Sequence, residues 1–360
     1  MKKILVITNH SYMLYRFRLE LLHALSKTHE VVLSMPFVGH EDDFKQLGFR
    51  CIETNVDRRG INPKTDLTLL RTYRKLLKEE KPDLVITYSI KPNIYAGMAC
   101  CSAGIPFFAN VQGLGTAFQK RGIAQLVTLL YKYAFRKVKG VFFENEENAA
   151  EFRRRKILTR DRQVILHGAG INLESYPLTP YPSHEIPRLL YLGRIMKEKG
   201  MDELFDAVDR LHKDAIPFHL DLVGFFEDGY KEKVDTLVEK GIATFHGFQE
   251  NPLPYYQNAD CVVLPSYHEG MSNVLLEAAS TGRPVITSDI PGCREAVIPR
   301  KSGLLIEARD PESLYQGLKE FLSLSQKDRE TMGLLGRLKM EQEFRKEDII
   351  AQSLDALGLS

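Results

Sequence analysis

Along the chain, short apolar runs alternate with longer stretches in which apolar residues recur every three or four positions. In the first half, residues 4–8, 30–34, 50–54, 83–87, 106–110, 140–143 and 163–166 read as strands. Between most of them, residues 15–27, 64–80, 93–103 and 124–137 carry helical spacing. The strand runs are continuous rather than alternating, which points to burial on both faces. Strands that alternate with helices predict a parallel sheet covered by helices. Pro177, Pro180, Pro182 and Pro187 then interrupt every regular pattern and mark a linker.

After the linker the pattern restarts. Strands are predicted at 188–192, 218–223, 243–246, 261–264, 284–287 and 303–306. Helices are predicted at 201–211, 231–239, 273–281, 311–322, 328–344 and 346–357. The expected fold class is α/β, with two Rossmann-like, doubly wound domains facing across a cleft. The expected domains are 1–175, a linker at 176–187, 188–344, and a helical segment 345–360 that packs back on the first domain. In open α/β sheets, ligands bind outside the carboxyl ends of the strands, so function is expected in the loops that follow them.

Composition agrees with this picture and narrows the surroundings. A length of 360 residues exceeds one ordinary core, and 44% apolar with 27% charged residues is a globular profile. The five cysteines form no CxxC pair, which fits reduced thiols better than a disulfide frame or a zinc site. The apolar run behind Lys2 and Lys3 is too short for a signal peptide, and no stretch approaches the ~20 apolar residues of a membrane span. A protein that stays in the cytoplasm, or on the inner face of a membrane, is therefore expected. Net charge is +2, but residues 1–180 carry 28 basic against 17 acidic side chains, and the remainder 21 against 30. A basic half suits an anionic membrane or a diphosphate substrate. No nucleic-acid partner is expected.

The candidate chemistry lies in two loops of the second half. The strand at 261–264 leads into Glu269-Gly270-Met271-Ser272-Asn273-Val274 and a helix. Unpartnered N–H groups and the helix dipole make such a terminus an anion site. Gly270 permits close backbone approach, and Ser272 suits the N-cap. Glu277, one turn into the helix, can accept from the two hydroxyls of a ribose. Glu269, at the loop tip, can accept from a sugar beyond the phosphates. The second loop, Gly193-Arg194-Ile195-Met196-Lys197-Glu198-Lys199-Gly200, also joins a strand to a helix. Arg194 offers a planar fork and Lys199 a point charge to a phosphate. No Asp-x-Asp occurs. Neutralisation of a diphosphate by Arg194, Lys199 and a helix terminus, without a metal, is therefore expected.

These two loops, together with Ser288-Asp289-Ile290-Pro291-Gly292-Cys293-Arg294-Glu295, resemble the retaining family-4 glycosyltransferases of the GT-B fold. The resemblance implies that Arg194 and Lys199 hold the donor diphosphate. It places Glu269 and the backbone from Gly270 onward at the donor sugar and phosphate, and Glu277 at the ribose. It implies that Gly224, Gly247 and Phe248 border the nucleobase. The donor is then a nucleotide sugar, by resemblance a UDP-sugar, with no cofactor and no metal. Lys91-Pro92-Asn93, Gln112-Gly113-Leu114-Gly115, the segment from Phe142 to Asn148 and Gly170-Ile171-Asn172-Leu173 look like one branch of that family. The branch includes the N-acetylgalactosaminyltransferase acting on diacetylbacillosaminyl-diphospho-undecaprenol, and relatives that build capsule and O-antigen. By that resemblance the acceptor is a polyprenyl-diphosphate-linked saccharide, with Lys91, Asn93, Gln112 and Gly113 as candidates to meet it; His10, in the loop after the first strand, is a further candidate by its position.

One departure concerns Gln112, which stands where many members have a histidine. An amide does not titrate usefully, so it cannot be the general base. In a front-face retaining reaction the leaving diphosphate can take the acceptor proton. The protein's task is then to stabilise charge on that diphosphate. A UDP-sugar 2-epimerase and a non-catalytic subunit of a polysaccharide assembly complex are the rival readings. A basic amphipathic stretch, 124–139, and the run Arg153-Arg154-Arg155-Lys156 are candidates for contact with anionic lipid.

Overall fold

A computed structural model describes residues 1–57, 62–114, 118 and 121–359. The chain divides into an N-terminal unit, Met1–Ala169 with Asp348–Ser360, and a C-terminal unit, Gly170–Glu347.

The N-terminal unit is built on seven strands: β1 Lys3–Ile7, β2 Glu30–Met35, β3 Arg50–Glu53, β4 Leu84–Tyr88, β5 Phe107–Val111, β6 Gly140–Phe143 and β7 Gln163–Ile165. Every pairing is parallel, in the order β3-β2-β1-β4-β5-β6-β7. Its helices are α1 Ser11–Ser26, α2 Glu41–Gln46, α3 Pro63–Glu80, α4 Ile90–Ala103, α5 Arg121–Ala134 and α6 Glu146–Arg154. The sheet separates two apolar layers. Leu5, Ile7 and Val85 point into one with Tyr73 and Phe107, and Ile4 and Val6 into the other with Leu14 and Leu22. This alternation along β1 requires apolar residues at both parities, which is why the strand reads as a continuous run.

The C-terminal unit has six parallel strands: β8 Arg188–Leu192, β9 His219–Val223, β10 Ala243–Phe245, β11 Cys261–Leu264, β12 Val285–Ser288 and β13 Gly303–Ile306. Their order is β10-β9-β8-β11-β12-β13. Its helices are α7 Met201–Lys213, α8 Lys231–Glu239, α9 Leu253–Gln257, α10 Asn273–Ser280, α11 Pro311–Ser323 and α12 Gln326–Glu343. The strand order reverses direction beside β8, the switch point at which open α/β sheets leave room for a ligand. The last helix, α13 Lys346–Leu357, buries Ile349 and Leu357 in the core layer of the N-terminal unit that holds Ile4 and Leu25.

All thirteen strands among the described residues fall where the apolar runs predict them. Three short helices, α2, α6 and α9, carry too few apolar repeats to stand out in the sequence. Asn145 starts α6 by accepting from the Asn148 N–H at 2.9 Å. The proline-rich segment forms no helix or strand among the described residues. Arg283, only 1% exposed, anchors it to the C-terminal unit. Its guanidinium donates to the Thr179 hydroxyl at 2.7 Å, to the Pro180 carbonyl at 2.8 Å, and through Nε to the Tyr256 carbonyl at 2.9 Å. Burial lowers the Arg283 pKa to about 10.

Candidate active site

The carboxyl edge of the C-terminal sheet brings the two predicted loops together. After β8 the chain turns through Gly193 and a single helical turn, Lys197–Lys199, into Gly200 and α7. Gly200 has φ of 73°, and a Cβ there would stand 2.0 Å from the Pro265 carbonyl oxygen. Only glycine lets the two loops approach this closely. The Tyr267 N–H donates to the Glu198 carbonyl at 2.9 Å and closes the contact.

That approach sets Lys199 against Glu269. Lys199 Nζ donates to Glu269 Oε1 at 2.5 Å, and the Ser266 hydroxyl donates to the same oxygen at 2.8 Å. The two side chains are 16% and 13% exposed, so water screens the pair weakly. Two further anchors hold the loop. The Tyr267 hydroxyl donates to the Glu203 carboxylate at 2.7 Å, and Arg309 lies 4.8 Å over the Tyr267 ring.

Arg194 takes a different partner. Its Nη1 donates to Glu227 Oε2 at 2.6 Å, and its side chain is 45% exposed. Its backbone carbonyl accepts from the Tyr191 hydroxyl at 2.6 Å. The buried Tyr191 phenol is pushed well above its ordinary pKa by burial first, then by Glu269, against the opposing charge of Arg194. Tyr191 thus lies within electrostatic reach of both.

Gly270, Met271, Ser272, Asn273 and Val274 form the entry to α10. Gly292, with φ of 83°, seats against this segment; a Cβ there would stand 2.2 Å from the Gly270 carbonyl oxygen. One expectation, the cap at Ser272, needs correction. Ser272 occupies the N-cap position, but its hydroxyl makes no cap bond, and its N–H donates to the Gly292 carbonyl at 2.8 Å. That amide is therefore not available to a phosphate. Met271 packs its side chain into the core at 6% exposure, so only its backbone can meet a ligand. The amides of Asn273 and Val274 lie in the first turn of α10, where N–H groups have no partner within the helix. Glu277 is 6% exposed, and its Oε2 accepts from the buried Tyr256 hydroxyl at 2.8 Å.

Gly224 and Gly247 meet at the ends of β9 and β10, where the Gly224 N–H donates to the Gly247 carbonyl at 2.8 Å. Phe248 is 56% exposed, and its ring centroid lies 6.2 Å from that of Phe225, itself 46% exposed. Sequence reasoning missed Phe225, Glu227 and Tyr256. An aromatic and a carboxylate directly after the predicted Gly224 were the available signal for the first two.

At the carboxyl edge of the N-terminal sheet, His10 precedes α1, with its ring edge-on to Tyr12 at 6.2 Å. Lys91 is paired with Asp66 at 2.8 Å, and Tyr95 donates to the other oxygen of that carboxylate at 2.8 Å. Ser89, between β4 and α4, has φ of 75°, a strained conformation that persists where the surroundings enforce it. Asn93 requires a correction. It is 1% exposed; its Oδ1 accepts from Thr87 at 2.6 Å and its Nδ2 donates to the Asn110 carbonyl at 2.8 Å. Asn93 ties β4 to β5 and has no face to offer an acceptor. Gln112 and Gly113 follow β5; Gly115 of the same motif lies outside the described residues. Gln112 lines a shallow cavity with Arg18, Asn110 and Glu144. Sequence reasoning missed Arg18 and gave Glu144 no role. In the run at Arg153, Arg153 pairs with Glu146, and Arg154 and Arg155 share Glu151, so two carboxylates balance two of its four charges.

Comparison with known proteins fits this geometry. Residues 3–145 match a family model described as glycosyl transferase 4-like. Residues 186–323 match one described as glycosyl transferases group 1. The N,N'-diacetylbacillosaminyl-diphospho-undecaprenol alpha-1,3-N-acetylgalactosaminyltransferase of Campylobacter jejuni is 28% identical, over 84% of this chain and 85% of its own. The UDP-Gal:alpha-D-GlcNAc-diphosphoundecaprenol alpha-1,3-galactosyltransferase of Escherichia coli is 27% identical, over 72% of this chain and 71% of its own. Among solved structures, a Rickettsia africae glycosyltransferase superposes with a TM-score of 0.78 at 18% identity, covering 100% of this chain and 99% of that one. Anabaena HepE in complex with UDP and glucose gives a TM-score of 0.81 at 16% identity, covering 99% of this chain and 100% of that one. The two parallel-sheet units are the GT-B fold. With a 4-like domain and a group 1 domain in order along one chain, and relatives spanning most of it that are transferases, the chain belongs to the family-4 type glycosyltransferases.

Proposed function

We propose that the protein moves a hexose or N-acetylhexosamine from a UDP-sugar to a polyprenyl-diphosphate-linked saccharide, with retention of configuration and without a metal. The observation that carries this reading is the Lys199–Glu269–Ser266 cluster, where the loop after β8 meets the loop between β11 and α10. It supplies a weakly screened cation for a leaving diphosphate, with first-turn amides of α10 beside it. Glu269 accepts from hydroxyls of the transferred sugar once Lys199 turns to the phosphates. The exposed Phe225–Phe248 pair borders the nucleobase, and Glu277, held by Tyr256, receives the ribose. With Gln112 in place of a titratable base, the leaving diphosphate takes the proton of the attacking hydroxyl. The Campylobacter and Escherichia coli relatives, named for diphosphoundecaprenol acceptors, support the acceptor class, and the second, named for UDP-Gal, supports the nucleotide. Neither an epimerase nor a non-catalytic subunit is favoured beside these relatives.

No helix among the described residues is long and apolar enough to cross a membrane. Peripheral contact is part of the proposal and rests on α5. Its outer face carries Leu126 at 48%, Leu129 at 63% and Tyr133 at 50% exposure, on one stripe. Arg136 lies 3.8 Å over the Tyr133 ring, and Lys132 sits beside it. An apolar stripe with a basic rim suits an anionic lipid surface. Sedimentation with anionic vesicles at low salt checks this part; protein left wholly in the supernatant rules it out.

The donor assignment is tested by Glu269→Ala. Transfer from UDP-N-acetylhexosamine to a short-chain polyprenyl-diphosphate N-acetylglucosamine should fall by about a hundredfold or more in kcat/KM. A rate within a few-fold of the parent removes Glu269 from the site. Full activity in EDTA is expected, and its loss, restored by Mg²⁺ or Mn²⁺, overturns metal independence.

A further inference from the structure

The loop after β9 holds two neighbouring carboxylates that grip the loop after β8 in different ways. Glu227 Oε2 accepts from Arg194 Nη1 at 2.6 Å, a contact between side chains. Asp228 Oδ2 accepts from the Lys197 N–H at 2.8 Å, a contact to backbone 31 residues away. Lys197 is the first residue of the single turn Lys197–Lys199, and that turn carries Lys199. The donor chemistry proposed above gives Asp228 no part.

Asp228 is itself fixed from behind. Its carbonyl accepts from the Tyr230 N–H at 2.8 Å, and Tyr230 is buried, with its ring 5.9 Å from that of Phe205 in α7. The two loops are also laced through their backbones. The Gly193 N–H donates to the Val223 carbonyl at 2.9 Å, and the Ile195 N–H to the Phe225 carbonyl at 2.8 Å. The Glu227 N–H donates back to the Ile195 carbonyl at 3.1 Å. This backbone lacing reaches Ile195, and the Asp228 carboxylate extends it to the turn at Lys197.

A helical turn leaves its first N–H groups without a partner inside it, and a side-chain oxygen placed there fixes how the turn is entered. Met196, at the N-cap position, supplies no such oxygen. Asp228 supplies it from the neighbouring loop. The turn is therefore gripped from two sides. The Tyr267 N–H, donating to the Glu198 carbonyl at 2.9 Å, holds it from the β11 side, and Asp228 holds it from the β9 side. With both grips in place, Lys199 Nζ stands 2.5 Å from Glu269 Oε1. With the Asp228 grip lost, the turn can tilt about the contact that remains. A long side chain carries a small tilt at its base into a larger displacement of its ammonium group. A displacement of about 1 Å is enough to lower a rate severely.

We propose that Asp228 is a positioning residue for Lys199: by capping the turn after β8, it sets where the cation meets the leaving diphosphate. The inference rests on the glycosyl-transfer reading above and assigns Asp228 no contact with either substrate. The same loop carries Gly224 and Phe225, which that reading sets beside the nucleobase. One loop thus borders the base and, through Asp228, places the cation for the diphosphate.

The test compares Asp228→Leu and Asp228→Asn with the parent, each also in a Lys199→Ala background. The probes are UDP-N-acetylhexosamine and short-chain polyprenyl-diphosphate N-acetylglucosamine. Asp228 is exposed, so its removal leaves no buried charge, and Tm should move by no more than about 3 °C. Asp228→Leu should lower kcat at saturating substrates about tenfold, with donor KM changing less. Asp228→Asn keeps an oxygen for the Lys197 N–H and should recover most of that loss. In the Lys199→Ala background, Asp228→Leu should change kcat by less than about twofold, because the group it positions is gone. The same tenfold loss with and without Lys199 overturns the inference. So does an Asn variant no better than the Leu variant, since the cap bond would then have no part. A fall in Tm with kcat intact also overturns it, because a bond that only trims a surface loop would behave that way. If the parent transfers sugar to the probe and Asp228→Leu matches it, only the role of Asp228 falls. If the parent transfers nothing to the probe, the glycosyl-transfer reading falls and takes the role of Asp228 with it.

Discussion

The two sheets are alike in topology, yet their carboxyl edges are built by opposite means. In the C-terminal unit the backbone does the positioning. Gly200, Gly224 and Gly292 each leave a gap into which a Cβ would collide with a carbonyl oxygen at 2.0, 1.8 and 2.2 Å. The charged side chains stand on that frame in cation–carboxylate pairs, Lys199 with Glu269 and Arg194 with Glu227. In the N-terminal unit the side chains do the positioning. Asn93 joins Thr87 to Asn110, Lys91 joins Asp66, and Arg18 joins Glu144. On the proposed function, the difference follows from the ligand each edge meets. A diphosphate carries enough charge to displace a carboxylate from a lysine, and it asks for close backbone approach. A neutral saccharide carries no such charge and is read by donors and acceptors already in place.

The sharpest way to break this comparison is Lys199→Ala. If the C-terminal edge serves a leaving diphosphate, removing a weakly screened cation should lower kcat by about a hundred- to a thousandfold. Substrate KM should change less, because charge on the leaving group grows toward the transition state. Steady-state kinetics with saturating acceptor reads the split. A loss confined to KM would make Lys199 a binding residue only, and an unaffected rate would remove it from the mechanism.

The same contrast accounts for which features are legible in the sequence. Backbone sterics leave an imprint there, because a tight loop demands glycine at a set place. Gly193, Gly200, Gly270 and Gly292 therefore point to the C-terminal site by residue type and spacing alone. The strands are legible for a related reason, since a sheet buried on both faces needs unbroken apolar runs. Side-chain pairs over long sequence separations leave no such mark. Nothing near Arg18 announces that it meets Glu144, 126 residues away. Asn93 sits in a distinctive motif that points to the acceptor, yet its amide holds two strands together. The Ser272 hydroxyl resembles a cap by residue type, while the seat of Gly292 against the loop decides where its N–H points.

A matched pair of glycines sharpens the steric half of the comparison. Gly200 in the C-terminal unit and Gly104 after α4 in the N-terminal unit have φ of 73° and 72°. A Cβ at Gly104 meets nothing within 4 Å, whereas one at Gly200 meets the Pro265 carbonyl. Gly104→Ala should cost only the left-handed backbone, about 1 kcal/mol. Gly200→Ala should cost that and roughly a further 1–3 kcal/mol, because loop backbone must move. It should also lower transfer by displacing Lys199, which Gly104→Ala should not. Denaturant melts and rates of the two variants check both statements. Equal effects would mean that the close loop approach has no part in placing the cation.

The smallest effect expected concerns acid, and it too separates the units. In the C-terminal unit, burial lowers the pKa of His219 from its ordinary 6.5, with Arg188 and His246 adding to the shift and Asp221 opposing it. Its Nε2 lies 2.9 Å from the Thr244 hydroxyl. The unfolded chain therefore takes up a proton near pH 6.5 that the folded chain resists. The contribution of His219 is fully present above that pH and is lost as pH falls toward the folded value. In the N-terminal unit, Lys3 and Arg50 lower the pKa of Glu80 from 4.5, the Lys3 hydrogen bond most of all. Its contribution is present above pH 4.5 and is lost only as pH falls through the still lower folded value. The C-terminal unit should therefore begin to weaken first on acidification. Comparing denaturant stability at about pH 7.5 and about pH 5.5 should show a drop in the parent that His219→Gln reduces and Glu80→Gln leaves in place. An equal drop in all three proteins would mean that other groups set the acid response, and the two units would then not differ in this respect.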